Sequence, residues 1–394
     1  MKKTIKDYDL YGKKVIIRCD FNVPIENGVV KDSSRIKASL KTIRYARKMG
    51  AKVILLSHLG RIKTKQDKEK YTLKPVSKEL SKLLRKKVTF IPNTRGQEVE
   101  NAINKMKNKD VVLLENTRFE DLTDNKESSC DEKLSKYWAS LGDIFVNDAF
   151  GTIHRTHASN YGIAKNLPSA LGFLIQNEIK NLNKLIENPK KPYVIVLGGA
   201  KVSDKIGIIS NLINKTDYIL IAGGMAFTFL KAAGFNIGSS ILEKDKINYC
   251  KELLNKYENK IILPIDLIVS NEISSSAQTH ERFINEIEED EIGLDIGKKT
   301  LEVFKQYLED AKTIFLNGPA GYFELKPFEK GTKELLEIIT NTKAYTVVGG
   351  GDSVSSVNKF KLKDKISHIS TGGGASLKFL AGEKLEALDI IDEK

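Results

Sequence analysis

The first half of the chain places arginine and histidine beside short polar residues, a combination suited to holding a small anion. Asp20 and Asn22 follow Arg18 in IIRCDFNVP. His58 and Arg61 lie in LLSHLGR, Arg118 in LLENTRF, and His154, Arg155 and His157 in NDAFGTIHRTHAS. Ten arginines occur in all, and nine precede residue 156, although lysine is by far the commoner base. A guanidinium grips carboxylate or phosphate with a planar fork, whereas an ammonium is a point charge. Arg44, Arg47 and Arg85 sit in lysine-rich helical stretches and read as solvated surface; the others stand beside strand ends and glycines. Three of the five histidines lie within three residues of these arginines, which favours a cationic patch over metal ligation. There is no nucleophile elbow, no carboxylate pair at useful spacing and no Cys/His metal spacing.

The second half carries four glycine-rich turns, each after an apolar run: Leu197–Lys205 (LGGAKVSDK), Ala222–Phe229 (AGGMAFTF), Val348–Ser353 (VGGGDS) and Ser370–Leu377 (STGGGASL). Glycine lets backbone approach a ligand closely, and a helix N-terminus offers free N–H groups to anions. One such turn is ordinary packing; four in one lobe favour a nucleotide-phosphate site. None fits GxxxxGK[ST] or GxGxxG with a later acidic partner, so neither a Walker-type ATPase nor a dinucleotide dehydrogenase is indicated. Lys201 and Lys205 would share a face if a helix began there. Asp352, after three glycines, suits either a Mg²⁺ ligand or a helix cap.

The elements that position these residues alternate. Strands are expected at Lys14–Arg18, Lys52–Leu56, Val88–Phe90, Val111–Leu114 and Ile144–Asn147. A second series is expected at Tyr193–Leu197, Tyr218–Ala222, Ile261–Leu263, Thr313–Leu316 and Tyr345–Val348, with amphipathic helical segments between. Near-continuous apolar strands separated by helices imply parallel sheets buried on both faces, hence α/β architecture of two doubly wound, Rossmann-like domains joined by a helix. The 394 residues also exceed the roughly 100–200 of one domain. The proline-bracketed stretch Leu167–Pro192 reads as the connecting helix and hinge. The expected division is 1–166, 167–192, 193–371, and a C-terminal segment 372–394 returning to the first domain.

The formal charge is +13, from 64 basic and 51 acidic side chains. Nucleic acid is one reading of such a charge, but no basic stripe with interleaved aromatics appears. No apolar run approaches the ~18–20 residues of a membrane span. The N-terminus MKKTIKDYDL has no apolar core behind its lysines. Cys19, Cys130 and Cys250 are unpaired by any motif, which points to a reducing, cytoplasmic setting.

Together these motifs, with GLDIG and NGPAGYFE between them, resemble the phosphoglycerate kinase family over essentially the full length, in the family's order. The resemblance implies that Asp20, Asn22, Arg35, His58, Leu59, Gly60, Arg61, Arg118 and Arg155 bind 3-phosphoglycerate, with Arg18, His154 and His157 enlarging the patch. It implies that Lys201, Lys205, Gly293, Glu324 and the Gly350, Gly351, Asp352, Ser353 run bind ADP or ATP. Glu324 would hold the ribose, Gly223 and Gly224 would line the adenine pocket, and Asp352 would hold Mg²⁺. Arg35, Lys201, Lys205 and Gly373 (in the Gly372–Gly374 helix opening) would act on the transferring group. The implied reaction moves a phosphoryl group reversibly from 1,3-bisphosphoglycerate to ADP, in a monomer whose lobes close before transfer. Another carboxylate kinase would use similar site logic, and a substrate panel separates the two. Cys19, Ile62 and Thr117 depart from the family's usual residues without removing a ligand; Cys19 raises the prospect of oxidant sensitivity.

Overall fold

Val15, Ile16 and Ile17 are consecutive and all fully buried, which requires a strand covered on both faces. They lie in β1 (Lys14–Cys19). Runs of buried residues recur in β2 (Lys52–Leu56), β4 (Val111–Leu114), β5 (Ile144–Asp148) and β6 (Ser169–Leu171), while β3 (Val88–Ile91) buries only Val88 and Ile91. These six form one parallel sheet in the order β3-β4-β2-β1-β5-β6. Because the strands are parallel, the segments after β1, β2, β4 and β5 all leave the same edge, and the four arginine-bearing motifs begin there.

The computed structural model describes residues 1–394. It divides into one unit of Met1–Lys180 with Lys384–Lys394 and a second of Asn181–Glu383. The division falls inside the helix Phe173–Ile186, and β6 belongs to the first sheet, so Leu167–Pro192 is not a connector throughout. The returning segment starts at Lys384 rather than 372. It is tied down by Asp392, whose carboxylate accepts from Tyr8 Oη at 2.7 Å and whose carbonyl accepts from Lys3 N at 2.7 Å.

In the second unit, β7 (Tyr193–Leu197), β8 (Tyr218–Ile221) and β9 (Ile261–Ile262) precede an antiparallel group that the sequence reading did not anticipate. That group is β10 (Asp266–Ser270), β11 (His280–Phe283) and β12 (Ile292–Ile296), ordered β11-β10-β12 over its own apolar cluster of Phe227, Leu230, Ile237, Leu267, Val269 and Ile287. The parallel sheet then continues with β13 (Thr313–Asn317), β14 (Tyr345–Gly349) and β15 (His368–Ile369), in the order β9-β8-β7-β13-β14-β15. The glycine-rich turns follow β7, β8, β14 and β15, again at carboxyl ends. The expected two-sheet α/β architecture is borne out.

Cys19 is fully buried, and burial pushes its thiol well above the usual range, which works against the oxidant sensitivity expected of it. Asp148, at the end of β5, is also fully buried; its Oδ1 accepts from Leu174 N at 2.9 Å, and Oδ2 has no partner. Burial raises its carboxyl to about 8. Folding therefore takes up a proton between roughly pH 4 and 8, and the stability this group allows at low pH is lost as pH rises through that window. The Asp148→Asn variant should lose part of this slope, being relatively more stable than wild type at pH 8 than at pH 5. Urea unfolding at the two pH values checks this; identical slopes would contradict it.

Candidate functional site

In the first unit the helix Ser34–Lys48 starts next to β1's exit, and its second residue, Arg35, reaches Asp20 Oδ2 at 2.5 Å. Arg35 stays part-exposed while Asp20 is nearly covered, so the carboxylate fixes the fork without occupying all its donors. Asn22 Oδ1 accepts from Gly60 N at 2.9 Å, and Arg118 Nη1 donates to Gly60 O. Gly60 thus ties the turn after β2 to those after β1 and β4. Buried Asn116 reinforces this: its side chain accepts from Leu59 N at 3.1 Å and donates to Leu59 O at 2.7 Å. Leu59 is itself buried, so its contribution is packing and backbone. Arg61 is exposed, and Arg155 is half-buried with Nε 3.3 Å from His154 Nε2.

Arg18 corrects one expectation. It is fully buried and belongs to the interior behind the patch rather than to its surface. Nε donates to Ser159 Oγ at 2.8 Å, Nη1 to Cys19 O, and Nη2 to His58 Nδ1 at 3.1 Å. Ser159 in turn donates to the buried carboxylate of Glu127, through N at 2.9 Å and through Oγ at 2.5 Å. Burial, then Arg18, Arg118 and Arg155, holds the His58 ring well below the usual range. Burial and the same arginines bring His157 down to about 3. Both rings are therefore neutral near pH 7, and the positive charge of this face comes from arginine.

In the second unit a cavity of about 480 Å³ is lined by the turns after β7, β13 and β14 and by the helix Gly374–Leu380. Lys201, Lys205, Gly350, Gly351, Asp352 and Ser353 all contribute to its wall. Lys201 and Lys205 do not share a helix face as expected: Lys205 caps the helix Ile206–Leu212, and Lys201 lies in the preceding turn. The turn brings both to the same cavity. Lys205 is buried, and desolvation lowers the pKa of its ammonium, with Asp204 and Asp352 opposing. Its Nζ donates to Asn317 Oδ1, whose amide donates to Gly349 O at 2.7 Å.

Close approach explains two of the glycines. A Cβ on Gly198 would lie 2.1 Å from Pro319 O, and one on Gly318, at φ +100°, would lie 2.1 Å from Gly198 O. Any side chain there would force β7's turn from β13's and open the cavity floor. Gly223 and Gly224 back this wall rather than line it, since their added Cβ atoms would meet Gly199 and Ala200. Gly373, at φ +53°, caps the helix whose Gly374 lines the cavity. Gly293 and Glu324 are not part of this wall. Gly293 is buried in β12, where a Cβ would lie 2.1 Å from the Phe227 ring, so its lack of a side chain serves packing. Glu324 is exposed on the segment between β13 and the helix Lys330–Asn341.

Sequence reasoning missed Asn317, Asn116, Glu127 and Ser159. Asn317 and Asn116 stood in quoted motifs but were not singled out, since no charge marks them. Glu127 sits in the polar run KESSC, which reads as solvated, and nothing in its neighbours signals burial.

The sequence pattern of phosphoglycerate kinase matches residues 5–383. The phosphoglycerate kinase of Enterococcus faecalis is 54% identical over 395 residues, and that of Listeria monocytogenes 52% over 394, each covering 100% of both chains. Among solved structures, phosphoglycerate kinase from Coxiella burnetii matches with a TM-score of 0.89 at 37% identity, covering 99% of each chain. The enzyme from Pyrococcus horikoshii matches with a TM-score of 0.83 at 33% identity, covering 99% of this chain and 98% of that one. A family match across nearly the whole sequence, on a fold with an arginine-lined edge and a glycine-lined cavity, places this chain in the phosphoglycerate kinase family.

Proposed function

We propose that the chain performs its family's reaction, 1,3-bisphosphoglycerate plus ADP giving 3-phosphoglycerate plus ATP and the reverse, with the two ligands assigned to different units. The observation that carries this reading is the separation of chemistries. Guanidinium groups gather at the carboxyl edge of one sheet; glycine backbone with Lys201, Lys205 and Asp352 gathers at that of the other. Asp20, Asn22, Arg35, His58, Arg61, Arg118 and Arg155 hold the acid, with Leu59 and Gly60 shaping the turn. Lys201, Lys205 and the Gly350–Ser353 run hold the nucleotide phosphates, and Glu324 takes the ribose hydroxyls. Gly223 and Gly224, packed against Gly199 and Ala200, shape the backbone at the adenine end.

Asp352 and Asp204 line the same cavity and would hold a Mg²⁺ brought with the nucleotide, since Mg²⁺ characteristically takes one or two carboxylates together with substrate phosphates. The ion would supply neutralisation of phosphate charge there. The leaving group is a carboxylate, already a weak base, so no general acid is required. The chain's own part is alignment and charge neutralisation: Arg35 and Lys201 on the equatorial oxygens, Lys205 on the nucleotide phosphates, and the Gly373 turn offering backbone N–H groups. Ligands held by different units react only after a hinge motion joins them, and that motion also excludes water from the acyl phosphate. One chain supplies both ligand sets, which suits a monomer. The three free thiols suit the cytoplasm, and no helix is long and apolar enough to cross a membrane.

A coupled assay of ATP formation from 1,3-bisphosphoglycerate and ADP tests the activity, and absence of turnover with both substrates would refute it. Glu324 gives a finer test. A carboxylate on the ribose binds ground and transition states alike, so Glu324→Ala should raise KM for ADP about tenfold and spare kcat. Loss of kcat at unchanged nucleotide KM would contradict the ribose assignment.

A further inference from the structure

The buried arginine behind the patch has a consequence for the histidine in front of it. Arg18 is the largest charged side chain with no exposure, and all three of its nitrogens donate to named partners: Ser159 Oγ at 2.8 Å, Cys19 O, and His58 Nδ1 at 3.1 Å. A guanidinium has donors only and no acceptor. The ring nitrogen it meets must therefore be the one with the free lone pair, so the single proton of a neutral His58 ring has to sit on Nε2. Glu127 and Ser159 stand behind Arg18 and prevent it from turning away: Glu127 takes both the N–H and the hydroxyl of Ser159, and Ser159 Oγ accepts from Arg18 Nε.

We infer that Arg18 is a positioning residue for the acid-substrate site: by donating to His58 Nδ1 it fixes that ring as the Nε2–H tautomer, a neutral donor oriented for an anionic ligand. The consequence for binding rests on the assignment of His58 to the 3-phosphoglycerate site. A neutral N–H donor, unlike an imidazolium, does not change charge across the physiological range, so the site's affinity for phosphate becomes insensitive to the usual histidine titration. No group facing the ring favours a second proton. Arg18, Arg118 and Arg155 are positive and His157 is neutral, while the nearest carboxylate in the network, Glu127, is separated from the ring by Ser159 and Arg18. Without Arg18 the ring is free to take either tautomer and regains part of its tendency to protonate.

The test is a long-range ¹H–¹⁵N correlation spectrum of histidine rings in the full chain labelled with ¹⁵N-histidine, recorded from pH 8 to 5.5, with the His58 signals assigned by their loss in His58→Gln. Wild type should show His58 as the Nε2–H tautomer throughout, without titration. Arg18→Met should introduce the Nδ1–H form and a titration inside that window, and should raise KM for 3-phosphoglycerate about tenfold at pH 7.5. Arg18→Lys, which can still donate to Nδ1, should keep the wild-type tautomer. If Arg18→Met does not fold, the wild-type spectrum decides alone, because an Nδ1–H ring or an ordinary titration near pH 6.5 overturns the clamp. An Arg18→Met spectrum identical to wild type also overturns it. Adding 3-phosphoglycerate to wild type separates the two claims. Movement of the Nε2–H signal supports the binding role. An intact tautomer with an unmoved signal overturns the binding role and the site assignment while leaving the clamp standing.

Discussion

Replacing Arg35 by lysine should lower kcat by about 10²–10³-fold, with a much smaller change in the binding of either substrate. The charge is retained, so ground-state attraction for anions largely survives. What is lost is the fork: Arg35 spends one nitrogen on Asp20 and keeps the others part-exposed, an arrangement that a single ammonium cannot reproduce. A preorganised donor aimed at charge that develops only in the transition state typically carries a penalty of this size when removed. Loss in kcat at little-changed KM is the signature of an interaction made only there. Steady-state kinetics in both directions check it. A kcat within a factor of about two of wild type would remove Arg35 from the transferring group, since a lost transition-state contact should cost more than ~1 kcal/mol.

The second large effect is on stability. Glu127 and Arg18 are both fully buried and are joined through Ser159. Desolvation lowers the pKa of the Arg18 guanidinium and raises that of the Glu127 carboxyl, and each group's charge opposes the shift of the other. Truncating one partner leaves the other charged and uncompensated in low dielectric, which typically costs ~3–5 kcal/mol. Glu127→Ala should accordingly lower the melting temperature of its unit by about 10 °C, since each kcal/mol corresponds to ~2–4 °C at this size. Glu127→Gln keeps an acceptor for Ser159 and should lose less. Calorimetry on the full chain distinguishes the two variants. A melting temperature within about 2 °C of wild type for Glu127→Ala would mean that Arg18 is balanced elsewhere, with Asp20 the next carboxylate in reach.

The parts of this molecule that sequence made legible share a physical cause. Strands such as Val15–Ile17 and Tyr193–Leu197 are apolar on both faces because a parallel sheet is covered on both sides, so runs of buried residues announce them. Charged or glycine-rich segments directly after such runs then mark the carboxyl edge. The antiparallel β10–β12 group escaped for the opposite reason. β11 reads HERF with no buried position, and β12 reads IGLDI, whose glycine makes room for Phe227 and interrupts the apolar run. The Lys201–Lys205 spacing suggested a helical face, but the turn before Ile206 brings the two lysines to one cavity without one. Burial of polar groups was the least legible feature. Arg18 looked like surface charge because a sequence shows an arginine's type, not the Ser159, Cys19 and His58 acceptors that allow it to be buried. Glu127 and Asn317 are its counterparts, recognisable only once their partners are in place.

The claim on which the rest depends is that the two ligands belong to different units, and amide chemical-shift mapping of the full chain with one ligand at a time tests it directly. With 3-phosphoglycerate alone, the perturbed amides should cluster at Asp20–Asn22, Arg35, Leu59–Arg61, Arg118 and Arg155. With Mg-ADP alone they should cluster at Gly199–Lys205, Gly318 and Gly350–Ser353. If 3-phosphoglycerate perturbed the glycine-lined cavity and left Arg35 and Gly60 unmoved, or if Mg-ADP did the reverse, the division of labour would be wrong and the assignments built on it would fall with it.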